Sequence, residues 1–114
     1  MKYKLNAKDR LVIPRLLPEK GTMLEQATVK EILDMIALKS KDFAKFGIVE
    51  NEMGMISPEC LDPEKNPKIQ DEEEFDLTKV HTQLMKDSVD KKDNAKEITQ
   101  FVLNTCQKIK EMRG

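Results

Sequence analysis

The stretch from Thr22 to Lys39, TMLEQATVKEILDMIALK, constrains the fold more than any other part of the chain. Thr22 followed three residues later by Glu25 is a capping box. The hydroxyl takes an N–H at the helix start and the carboxylate reaches back to the N–H of the cap residue. Val29, Ile32, Leu33 and Ile36 then recur at helical spacing, with Ala27 inside the run and Leu24, Met35 and Leu38 beside the stripe. A stripe this wide predicts one long helix over 22–39, buried against several partners at the centre of the fold.

The rest of the chain reads as elements around that helix. Asn6 before Ala7, with Asp9 in the first turn, marks a helix over 7–17 that turns Leu11, Val12 and Ile13 inward. Pro14 lacks the N–H that would bond to the Arg10 carbonyl, so a kink or stop near Ile13 and a restart through Arg15, Leu16 and Leu17 are expected. Ser40 is expected to cap a short helix over 41–46 that buries Phe43, Ala44 and Phe46 and stops at Gly47. Beyond it, Ile48-Val49 and Met55-Ile56 flank a polar turn and predict a small antiparallel β-hairpin. Three prolines make residues 58–67 a mobile loop.

Two further stretches have the alternation of edge strands. Met1 to Leu5, an extended arm or an edge strand, is one, and Lys68 to Phe75 is the other, its Ile69 and Phe75 sharing a face with Asp71 and Glu73. Leu77, Val80, His81, Leu84, Met85 and Ser88 repeat with a helical period, predicting a helix over 77–90 capped by Asp76 or Thr78. After a charged connector at 90–93, Asn94 and Glu97 resemble a capping box that opens a last helix over 94–112. Its stripe is Ile98, Phe101, Val102, Thr105, Ile109 and Met112. The expectation is one domain, 1–114, of mostly helical α+β class. It has about five helices around the central one and a small antiparallel hairpin, a winged-helix-like order.

Composition limits what such a domain can be. With 39% hydrophobic residues and a net charge of -1 the chain lies outside the disordered regime, and seven Met and no Trp suit an adaptable helical core. The charged start MKYKLNAKDR is followed by no apolar run of a secretory signal, and no segment reaches the roughly 20 apolar residues of a membrane span. A cytoplasmic protein without a membrane partner is expected. Cys60 and Cys106 are too few for a disulfide framework or a zinc site and read as inert reduced thiols.

Charge is unevenly spread. Residues 1–46 carry 10 Lys/Arg and 6 Asp/Glu, residues 47–76 carry 2 and 10, and residues 77–114 carry 8 and 5. Asp71, Glu72, Glu73, Glu74 and Asp76 lack the alternating ligands and turn glycine of a calcium loop, so they read as the solvated guard of a sheet edge. His81, the single histidine, lies on an apolar stripe without a visible partner for base chemistry. No phosphate-cradling, dinucleotide, zinc-protease or serine-nucleophile motif is present. No catalytic, cofactor-binding or metal-ligating residue is assigned, no cofactor is expected, and an enzyme is disfavoured.

The order of three helices and a hairpin also raises DNA binding. In that reading residues 41–46 form the recognition helix, yet Lys41 and Lys45 are its only cations and the acidic segment follows at once, so phosphate would be repelled. A protein partner or self-association is therefore favoured over nucleic acid. A winged-helix transcriptional regulator is the alternative.

The opening NAKDRL, the LLPEKGT turn and the VKEILDMI helix resemble small uncharacterised proteins encoded by phages and prophages. The resemblance covers roughly the first half of the chain. It implies a phage-derived protein of the cytoplasm and brings no site residues with it. Pro14 and the proline-bearing insert at 58–67 depart from that pattern.

Overall fold

A computed structural model describes residues 2–112. The elements run β1 (Lys2–Asn6), α1 (Ala7–Leu16), α2 (Met23–Ile36), α3 (Ser40–Lys45), 3-10 turns at Pro58–Leu61 and Pro67–Gln70, β2 (Glu72–Asp76), α4 (Lys79–Asn94) and α5 (Gln100–Lys110). The class is α+β, mostly helical, with five α-helices and one two-stranded antiparallel sheet.

The sheet joins segments far apart in the chain. Lys2 pairs with Asp76, Tyr3 with Phe75, Lys4 with Glu74, Leu5 with Glu73 and Asn6 with Glu72. Alternation explains the match. Tyr3, Leu5 and Phe75 turn to the core, while Lys2 and Lys4 lie outward opposite Asp76 and Glu74, giving cross-strand neighbours of opposite charge. The hairpin expected at 48–56 is reduced to an isolated bridge between Glu50 and Ile56, so no wing forms among the described residues. Residues 58–67 are pinned. The Asn66 side-chain amide donates to the carbonyls of Phe46 and Cys60, each at 2.8 Å, and Cys60 is buried.

Helix α1 occupies the middle of the fold, packed against β1, α4, α5 and the turn Pro67–Gln70. Asn6 and Asp9 close its capping box, and the helix continues through Pro14 to Leu16 without stopping at Ile13. Pro14 is exposed, while Val12, Ile13 and Leu16 enter the main core and Ala7 enters a second, smaller one with Phe46, Ile48, Cys60 and Ile69. Helix α2 starts at the expected capping box but ends at Ile36, and it supplies one wall of the main core through Val29, Ile32 and Ile36. Its other apolar residues do not share that burial: Ala27, Leu24 and Met35 face solvent.

Helix α3 buries Asp42 and delivers Phe46 to the smaller core, whereas Ala44 is exposed. It ends in a Schellman motif: Ile48 N–H bonds Phe43 O at 2.8 Å, and Gly47 takes φ +66. An added Cβ at Gly47 would also meet Asn66 Oδ1 at 2.9 Å. Thr78 caps α4, which runs four residues past the expected end. Lys96, at φ 59, closes a second Schellman motif in which Glu97 N–H bonds Lys92 O at 2.9 Å. Asn94 therefore ends α4 instead of opening α5, which starts after Thr99.

Candidate functional site

The residues singled out by sequence are dispersed, and most of them hold elements together. Of the acidic run, Glu72 accepts a hydrogen bond from Lys108 Nζ at 3.1 Å, and Glu73 accepts one from Lys45 Nζ at 2.8 Å. Asp71, Glu72 and Glu74 are exposed, as a solvated edge requires, but Glu72 and the half-buried Glu73 are also engaged, because β2 lies beside α3 and α5 cations. Among the described residues no group of three or more His, Cys, Asp or Glu is placed to hold a metal ion. Lys45, a cation of the would-be recognition helix, is drawn onto β2.

His81 has the partner that its sequence position did not reveal. Its Nδ1 accepts the Thr78 N–H at 3.2 Å, so the ring proton sits on Nε2, which donates to Glu31 Oε2 at 2.9 Å. The ring thus completes a capping box with Thr78 and ties the first turn of α4 to α2. Both ring nitrogens are occupied by structural bonds. Cys60 is buried and its Sγ donates to Ser57 O at 2.9 Å, while burial pushes the Cys106 thiol up. The Cys106 shift is opposite to that of a nucleophile site.

A buried ionic network lies where α1, α3, α5 and β2 meet. Asp9 is buried; its Oδ1 accepts from Thr105 Oγ1 at 2.6 Å, and its Oδ2 accepts from the Asn6 N–H at 3.0 Å and from Lys108 Nζ. Burial alone would lower the Lys108 pKa, and the bonds to Asp9 and Glu72 more than reverse this, so it lies above the usual ammonium value. Arg10 closes the C-terminus of α2: Nε donates to Ile36 O at 2.8 Å and Nη2 to Ala37 O at 3.0 Å. Its face lies over Phe75, 5.0 Å from the ring centroid. Nη1 is buried without a hydrogen-bond partner and faces Glu73 Oε2 at 4.0 Å.

Asp42 accepts the Lys39 N–H at 2.9 Å and pairs with Arg10 Nη2 at 3.4 Å. The Lys39 N–H first, and the Arg10 charge after it, hold its carboxyl below the usual range against the cost of burial. A depressed folded-state pKa stabilises the fold above the unfolded Asp value, and this contribution is lost as pH falls through the lower folded value.

One uncovered stretch of the surface is apolar. Leu24, Thr28, Val80 and Leu84 line a groove of about 510 Å³ between the start of α2 and α4, edged by Glu25, Lys79, Gln83 and Asp87. Leu24 is 77% exposed, Val80 62%, and the neighbouring Met23 92%. A second cavity of about 710 Å³, between the C-terminal ends of α1 and α4, shares Glu25, Leu84 and Asp87 with the groove.

No protein-family model, curated protein or solved structure matches the chain. The site is therefore read from its own chemistry. Ionic groups in the interior are matched to helix ends and to each other, whereas the α2/α4 groove presents Leu24 and Val80 to water, with Met23 exposed beside it. A second apolar display, Val49, Met53 and Met55, projects from the segment after α3. No helix among the described residues is long and apolar enough to cross a membrane.

Proposed function

We propose that this chain is a non-catalytic protein-interaction or assembly module of the cytoplasm, phage-derived as the resemblance of its first half implies, with the α2/α4 groove as its docking surface. The observation that carries the reading is the exposure of Met23, Leu24 and Val80 on two adjoining helices. Clustered large apolar side chains beside a concave surface mark interaction sites more often than solitary ones do. A groove floored by Leu24, Val80 and Leu84 suits the apolar face of a partner helix.

The test is to compare wild-type protein with a Leu24→Ser/Val80→Ser variant as bait in an extract of the source cells. Both positions are exposed, so folding stability is expected to change by no more than about 0.5 kcal/mol. A protein retained by the wild type and lost by the variant is the expected result. Equal recovery by both, or none by either, would show that the groove is not the interface.

Support for the DNA-binding alternative is thinner. Helix α3 spans six residues, its Lys45 is paired with Glu73, and the segment in the place of a wing carries Glu50 and Glu52. Titration of duplex DNA at low salt is expected to give no binding. Micromolar binding that weakens steeply as salt is raised would reverse the ranking.

A further inference from the structure

We infer that the arch from Val49 to Met55 is a second docking surface, whose occupant is a cationic amphipathic segment of a partner protein. Three observations carry the inference, and none depends on the α2/α4 groove. First, Met53 is 81% exposed, and Val49 and Met55 are each 61% exposed, which places three large apolar side chains in water within one short turn. Secondly, the backbone holds them there. Asn51 N–H bonds Met55 O at 2.8 Å, and Asn51 Oδ1 accepts the N–H groups of Met53 and Met55 at 2.9 and 3.0 Å. At the base, Ser57 N–H bonds Val49 O at 2.9 Å, while Ile48 and Ile56 turn inward to the smaller core. The alternation that buries Ile48 and Ile56 turns Val49 and Met55 outward.

Thirdly, charge selects the occupant. Residues 47–64 contain Glu50, Glu52, Glu59, Asp62 and Glu64 and no Lys or Arg. Among the described residues, none of these five carboxylates takes part in an ion pair. The uncompensated field favours Lys and Arg and repels nucleic acid and anionic lipid alike. Methionine thioethers are polarizable and change rotamer readily, so they fit an apolar stripe of varied shape. A protein segment carrying Leu or Phe beside Lys or Arg satisfies both requirements.

The test is a titration of the full chain, labelled with ¹³C at the methionine methyls, with a Leu/Lys amphipathic helical peptide of about four turns. A Leu/Glu peptide of the same pattern is the control. The expected result is saturable shifts of Met53 and Met55 with the Leu/Lys peptide and none with the Leu/Glu peptide, weakening at least about tenfold between low and high salt. Met23 reports the groove in the same spectra, so that binding there is read separately; Met85 and Met112 are buried and report the fold.

Met53→Ser/Met55→Ser, read through the salt-dependent affinity, and Glu50→Gln/Glu52→Gln/Glu59→Gln, read through the methyls, should each weaken binding about tenfold. Leu24→Ser/Val80→Ser should leave the titration unchanged, which separates this surface from the groove. Absence of shifts at Met53 and Met55, equal shifts with the Leu/Glu peptide, or wild-type affinity in either arch variant would overturn the inference. So would shifts of Met53 and Met55 on adding phosphatidylglycerol vesicles, which would make the arch a lipid contact.

Discussion

Replacing Asp9 with Ala is expected to cost about 3 to 5 kcal/mol of folding stability, the range for removing one member of a buried ion pair. Its carboxylate serves three groups at once: the α1 capping box through Asn6, and the Thr105 hydroxyl and Lys108 ammonium of α5. Thr105 is buried, so its hydroxyl loses its acceptor without gaining water. Lys108 is better placed, because it keeps Glu72 at 3.1 Å. Lys108→Met leaves the buried Asp9 carboxylate without its cation, so it should cost at least as much as Asp9→Ala, and Thr105→Val should cost about 1 to 3 kcal/mol for the orphaned carboxylate oxygen.

Urea unfolding of the three variants, with the Asp9/Thr105 double variant to measure coupling, checks the ordering. An Asp9→Ala cost of about 1 kcal/mol or less, which a helix cap alone would account for, would show that water reaches the carboxylate and that the network does not close the fold. The expected salt dependence is slight, since a buried pair is poorly screened.

Local signals were legible in the sequence because their partners lie within one helical turn. The Thr22/Glu25 and Asn6/Asp9 starts are of this kind, as is the Gly47 stop after α3. Pairings across the chain were not. Lys2 and Lys4 alternate against Glu74 and Asp76 as β-neighbours should, yet each strand alone is too short to announce a partner some seventy residues away. The end of α4 was misplaced for a different reason. Lys96 adopts the left-handed conformation that usually marks a glycine, so the stop has no residue signature.

The candidate surface was hidden in a correct observation about α2. Its apolar residues are too numerous for one stripe, and the excess predicts burial on several sides. The structure covers only the side toward α4 and α1, leaving Leu24 in water beside Met23. The buried charges of Arg10 and Asp42 could not be read from spacing, because their partners come from the end of α2 and from each other. The acidic run gave a mixed result: Asp71 and Glu74 guard an edge, while outward Glu72 and inward Glu73 answer cations on α5 and α3.

The same division of α2 sets the last expected result. Ile32 and Ile36 are fully buried in the main core, so truncating either to Ala should cost about 2 to 5 kcal/mol through lost burial and the cavity left behind. Ile13, at the middle of α1 and equally buried, belongs in the same range. Leu24 carries a similar side chain on the same helix as Ile32, but solvent already surrounds it, so Leu24→Ala should fall within about 0.5 kcal/mol. Lys30 should behave like Leu24, since its i,i+4 pair with Asp34 at 2.9 Å is exposed to solvent and screened. Urea midpoints for the five variants, compared at a common slope, separate the two groups. A Leu24→Ala cost as large as that of Ile32→Ala would mean that the α2/α4 groove is closed in solution and is part of the core. A small cost for Ile32 and Ile36 beside a large one for Ile13 would show that α2 is a detachable wall on a core built by α1, α4 and α5, and the groove would then open and close with it.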